Sequence, residues 1–129
     1  MTPRLSLRTT FAALVAVSAL SACGGGTSAP AQTVPTDAGL VVTAVKTIRF
    51  DASEYTATAG DIKVAYSNED SVRHTLVVVK DGTKVPNFKL VVAQKGAVDV
   101  AAVNLGAGSY TLICDVPGHQ NMKATLTVS

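Results

Sequence analysis

Tryptophan is absent, and 129 residues contain only two cysteines, two histidines and two methionines. No uninterrupted apolar run approaches the roughly 20 residues that a membrane-spanning helix needs. Runs of basic residues are missing as well, so nothing is arranged to neutralise a phosphate backbone, and nucleic acid is excluded as a partner. Apolar residues at helical spacing are missing after residue 40, which argues against a helical domain. Gly24-Gly25-Gly26 lacks the strand-to-helix setting that a phosphate-cradling loop requires.

What is present begins with an export signal. Arg4 and Arg8 precede the apolar stretch Phe11–Leu20, interrupted only by Ser18, and small residues follow. That order is the layout of a secretory signal peptide over residues 1–22. The tetrapeptide Leu20-Ser21-Ala22-Cys23 resembles the lipobox of bacterial lipoproteins. The resemblance implies cleavage before Cys23, acylation of that residue, and a lipid anchor at the outer face of a bacterial membrane, facing the periplasm or the cell surface. The other reading is ordinary cleavage near Ala22 with a free Cys23. Residues 24–39 are rich in Gly, Pro, Ser and Thr and read as a flexible linker of roughly 20–24 Å end to end. Without Arg4 and Arg8 the exported chain has nine basic and nine acidic side chains. Its formal charge is then zero, so partner recognition must lean on apolar contact or on how charges are distributed.

From residue 40 to 129 the pattern is β throughout. Val41–Phe50 is rich in Val, Thr and Ile, and Ile62, Val64 and Tyr66 alternate with Lys63, Ala65 and Ser67, a period of two with one buried face. Leu76–Val79 is a continuous apolar run, as in a strand covered on both sides. Turn residues separate these segments at Gly60-Asp61, Asn68–Ser71, Asp81-Gly82, Lys95-Gly96 and Gly106–Gly108. Tyr110, Leu112 and Cys114 share one strand face, as do Leu126 and Val128. The expectation is an all-β domain, a Greek-key sandwich or barrel of about seven to eight strands.

The scarce residues concentrate in two places. Cys114, His119 and Met122 fall in Ile113-Cys114-Asp115-Val116-Pro117-Gly118-His119-Gln120-Asn121-Met122, and His74 opens the valine-rich strand after a turn. Singly, each has an ordinary explanation: Met122 filling a gap, Cys114 packed in the core, His74 partly exposed, His119 in a turn. If Cys23 carries lipid, Cys114 has no partner, and a free thiol in an oxidising compartment is a liability unless buried or bound. Together, one thiolate, two imidazoles and one thioether form the donor set of a trigonal copper site with a weak axial sulfur. Zinc also accepts Cys-His₂ donors, although its sites seldom recruit methionine.

The stretch Gly108–His119, with Gly-x-Tyr-x-x-x-Cys followed by Pro-Gly-His, resembles the cysteine loop of the cupredoxins, nearest the plastocyanin/azurin-like group. Met122–Val128 resembles the family's last strand, and Thr58–Val64 with Asn68–Thr75 resembles the segment leading to its first histidine ligand. The likeness covers residues 45–129. It implies a type 1 (blue) copper protein with His74, Cys114 and His119 as equatorial ligands and Met122 as the axial one. It also implies a backbone N–H of Thr75 directed at the Cys114 sulfur, and an Asn68 that holds the ligand loop. The spacing Cys-x₄-His-x₂-Met departs from the family, whose members with this Cys-to-His gap usually place three or four residues before methionine. That departure leaves Gln120 open as an alternative axial donor. The function so implied is one-electron transfer by a membrane-tethered monomer, with a redox protein docking transiently near His119 beside Val116 and Pro117. Copper delivery or protection uses the same ligands, and a metal-free β-sandwich interaction module is a further alternative. An enzyme is not expected, because Cys114 and His119 have no evident orienting acid or oxyanion loop.

Overall fold

Two sheets built from ten strands form the domain in the computed structural model, which describes residues 32–129. The signal segment 1–22, Cys23 and the linker through residue 31 lie outside the described residues. The strands are β1 (Leu40–Val45), β2 (Arg49–Phe50), β3 (Glu54–Ala57), β4 (Gly60–Asn68), β5 (His74–Lys80), β6 (Thr83–Lys84), β7 (Leu90–Val92), β8 (Val98–Leu105), β9 (Gly108–Ile113) and β10 (Lys123–Val128). One sheet has the order β2-β1-β4-β8 and the other β3-β10-β9-β5-β6, with β7 also paired to β5. β1 with β4 and β3 with β10 run parallel, and every other pair is antiparallel. The pieces β2 and β6 are two residues each, so eight longer strands carry the all-β architecture that the turn spacing predicts. No helix of the described residues is long and apolar enough to cross a membrane.

The core follows from the alternation. Ile62, Val64 and Tyr66 of β4 face Leu112 and Tyr110 of β9 and Leu126 and Val128 of β10 in one buried cluster. Tyr66 meets Phe50 edge-on at 6.2 Å between ring centres, the favoured geometry for an aromatic pair. Tyr110 donates its hydroxyl to the Gly106 carbonyl at 2.9 Å, fixing the turn into β9. In β5, His74 through Val78 are all buried, because β9 and β7 pair on either side of it. The described end of the linker touches this body. Asp37 pairs with Lys63 at 2.8 Å, and the Gln32 side chain accepts from the Val98 N–H at 3.0 Å.

The stretch Val41–Phe50 is not one strand. It turns back on itself at Lys46-Thr47-Ile48, and Val45 faces Arg49 across the hairpin. Thr47 and Ile48 both take left-handed backbone angles (φ +72° and +57°), a conformation that β-branched residues avoid. The turn lacks Gly, Asn and Pro, so turn chemistry gives no notice of it. It closes because Ile48 packs on the core and the Thr47 hydroxyl bonds the Lys46 carbonyl while accepting from Arg49 Nε.

Candidate metal centre

His74 is the first residue of β5, opposite Val92 of β7. The loop before it is tied by Asn68, whose Nδ2 donates to the carbonyls of Val72 (2.8 Å) and Val92 (3.3 Å). Asn68 Oδ1 accepts from the Asp70 N–H at 2.8 Å. Asp70 in turn lies 3.2 Å from His74 Nε2 through Oδ2 and accepts the Ser71 N–H through Oδ1. The Ser71 N–H, with help from His74 and the Ile48 N–H, outweighs desolvation and holds the Asp70 carboxyl below its ordinary range. An ionised Asp70 calls for the proton on His74 Nε2, and the lone pair then sits on Nδ1. That Nδ1 is fully buried and has no hydrogen-bond partner. Such an atom costs free energy unless something accepts its lone pair, and a metal ion does so.

Cys114 lies one residue beyond β9, buried and free of any disulfide. Its sulfur receives the Thr75 N–H at 3.4 Å and lies 3.5 Å from the Thr75 hydroxyl. Past it the chain turns at Pro117-Gly118, where Gly118 takes φ +89°, open to glycine at little cost. Three backbone bonds close the loop: His119 N–H to Val116 O (3.0 Å), Met122 N–H to His119 O (2.9 Å) and Cys114 N–H to Met122 O (3.2 Å). His119 Nδ1 consequently stands 3.5 Å from the Cys114 sulfur. Burial, and then the neighbouring His74, lower the pKa of His119, favouring the neutral imidazole that a metal ligand must be.

One donor atom each from His74, Cys114 and His119 lies within 4.8 Å of the others, and the two imidazole rings are 4.9 Å apart. Triangle sides of 3.5–4.8 Å put a central ion roughly 2.0–2.8 Å from each corner, a range that includes ordinary metal–nitrogen and metal–sulfur bonds. The donors therefore fit a trigonally bound metal. Met122 is buried at the close of the same loop, its backbone bonded to both Cys114 and His119. Gln120 is exposed. Cys23 lies outside the described residues.

Two carboxylates that motif reading passes over belong to this site. Asp70 orients His74. Asp115 accepts the Thr75 hydroxyl at 2.7 Å and returns its own N–H to the same oxygen at 2.9 Å. It also binds Lys84 at 2.9 Å and Lys89 at 3.0 Å. Burial opposes ionisation of Asp115, but these bonds win and hold its carboxyl far below the ordinary range. The signal in the sequence is positional: one acid four residues before a candidate ligand, and one directly after another.

No protein-family model matches the sequence, and no curated protein matches it. Among solved structures the chain is similar to the dithionite-reduced auracyanin of Roseiflexus castenholzii, with TM-score 0.58 and 18% identity over 70% of this chain and 95% of that one. An azurin of Methylomonas sp. strain J gives TM-score 0.58 and 15% identity over 69% and 95%. A purple cupredoxin of Nitrosopumilus maritimus gives TM-score 0.57 and 18% identity over 70% and 99%. At such identities the likeness establishes the fold, which is cupredoxin-like.

Proposed function

We propose that this chain is a type 1 copper protein that carries single electrons outside the cytoplasm, tethered to a membrane. The observation that carries the reading is the convergence of the Cys114 sulfur with two imidazole nitrogens, His74 Nδ1 among them, buried and unpartnered. The similar structures, named auracyanin, azurin and purple cupredoxin, support it. His74, Cys114 and His119 would hold the ion, with the buried Met122 thioether as a fourth, weaker donor. Bound copper supplies the one-electron chemistry.

The chain's own groups prepare that chemistry. The Thr75 N–H, directed at the sulfur, stabilises negative charge there and favours the reduced state. Asp70 fixes the His74 ring, and the three backbone bonds of the cysteine loop limit its rearrangement. Low rearrangement permits fast exchange. His119 is only half-buried, beside the half-buried Val116 and the exposed Pro117, and a redox partner docks there transiently. Acylated Cys23 anchors the chain, and residues 24–39 give it reach. The copper-loaded chain is expected to exchange electrons with a soluble cytochrome in stopped-flow mixing while retaining its metal. Slow exchange with ready copper loss would favour copper delivery or protection instead. Cys23→Ser is expected to move the protein from membranes to the soluble fraction, read by fractionation and mass spectrometry; retention in membranes contradicts the anchor.

A further inference from the structure

The segment before β1 is bonded to the domain at two separated points. Asp37 pairs with Lys63 at 2.8 Å, and the Gly39 N–H donates to the Lys63 carbonyl at 2.8 Å. Lys63 lies nearer the start of β4, and Gly39 leads into β1 beside it. Followed back from there, the chain reverses over residues 35–38, where the Ala38 N–H bonds the Pro35 carbonyl at 3.3 Å. Gln32 then accepts the N–H of Val98, the first residue of β8, at 3.0 Å. Val98 faces Ser67 across the sheet, and its neighbour Ala97 accepts the Asn68 N–H. Asn68 is the residue that ties the loop before His74. Residues 32–38 thus cross the outward face of the sheet from the β1 side of β4 to β8, and Gln32 stands at the metal end. Ala65 is on that outward face, since Ile62, Val64 and Tyr66 point inward. It has no exposed surface, although its partners Val41 and Val100 are 42% and 36% exposed. Val34 and Pro35 are half-buried, as a segment lying over Ala65 requires.

We propose that residues 32–38 are a strap that delivers the tether to the metal end and turns that end, not the opposite one, toward the anchoring membrane. The inference rests on the tethered electron-carrier reading and adds the molecule's orientation: the metal centre is presented to a redox centre held in the same bilayer. Lengths decide it. Nine residue steps separate Cys23 from Gln32, a reach of about 16 Å as a coil and at most about 32 Å fully extended. β4 runs from the opposite end to the metal end in nine residues, or about 27 Å. Setting the opposite end on the bilayer lifts Gln32 about that far above it and takes up nearly the whole extension of the tether. Setting the metal end there takes up none. With the strap released, sixteen steps separate Cys23 from Gly39, up to about 55 Å, and either end can face the membrane.

The test uses the full lipidated chain, metal-free, in phosphatidylcholine nanodiscs that carry a nitroxide on some lipid headgroups. Amide signals of Val72 and of residues 94–97 at the metal end should lose most of their intensity. Those of Asp81, Gly82, Gly106 and Ala107 at the opposite end should keep theirs. The double variant Q32A/D37A removes both side chains that hold the strap. It should equalise the losses at the two ends, with the amide shifts of β5 and β9 unmoved as the sign of an intact fold. Exchange of the Val98 amide should quicken about fivefold in the variant, as the loss of one hydrogen bond implies. Even broadening at both ends of the native chain, or stronger broadening at Asp81 and Gly106, would overturn the proposal. An unchanged pattern in Q32A/D37A, or equal Val98 exchange in the two chains, would do the same. Mass spectrometry of the same sample reports on the tether separately. Acylated Cys23 with even broadening ends the orientation alone, whereas an unacylated Cys23 ends the tether and the orientation together.

Discussion

A single nitrogen carries much of the argument. His74 Nδ1 is buried without a partner while its sister Nε2 is held by Asp70, an arrangement that is unfavourable for an empty site and suited to a filled one. Asp70→Ala removes the group that sets ring orientation and tautomer. It is expected to lower copper affinity about 10–100-fold, read by competition with a chelator; unchanged affinity would separate Asp70 from the site. Asp115 makes a different prediction. Its pKa is depressed in the folded chain, so its contribution to stability is fully present above the unfolded value near pH 4 and is lost as pH falls below it. The melting temperature of the metal-free chain should exceed that of Asp115→Asn at pH 6, with the gap closing toward pH 2. A gap constant over that range contradicts the assignment. His74, Cys114 and His119 were legible in the sequence because their residue types are so scarce in it. Asp70 and Asp115 were not, since carboxylates are common in turns and only proximity separates these from the rest.

Among the elements, the β1–β2 hairpin is where sequence pattern and fold part. Val41–Phe50 has strand composition throughout, and its turn places β-branched Thr47 and Ile48 at positive φ. The compensation is non-local: Ile48 packs on the core and directs its N–H toward Asp70, contacts that no local pattern encodes. Thr47 is exposed, so Thr47→Gly relieves its strain without opening a cavity. The expected gain is about 0.5–1 kcal/mol, seen as a rise of a few degrees in thermal unfolding. A fall in melting temperature would mean that the hydroxyl bonds to Lys46 and Arg49 outweigh the strain. Elsewhere alternation sufficed: Ile62, Val64 and Tyr66 are buried on one face of β4, and Tyr110, Leu112 and Cys114 on one face of β9 and its extension.

For the molecule as a whole, period-two patterning and turn spacing made the all-β class readable. They carried no information on which strands pair. The parallel pairs β1–β4 and β3–β10 join segments distant in sequence and are selected by burial of both sheets' inner faces. Charge was readable as a total and not as a layout. Folding interleaves Glu69 with Lys46, Arg49 and Lys95, and Asp51 with Arg49 and Lys123, at the metal end, and sets Lys80 beside Asp81 at the other.

The most direct measurement is an optical and electron paramagnetic resonance spectrum of the chain loaded with Cu(II). A thiolate bound in the trigonal site formed with His74 and His119 should give an intense blue or green band that ascorbate bleaches and Cys114→Ser removes. A colourless copper complex, or a band that survives Cys114→Ser, would contradict the account.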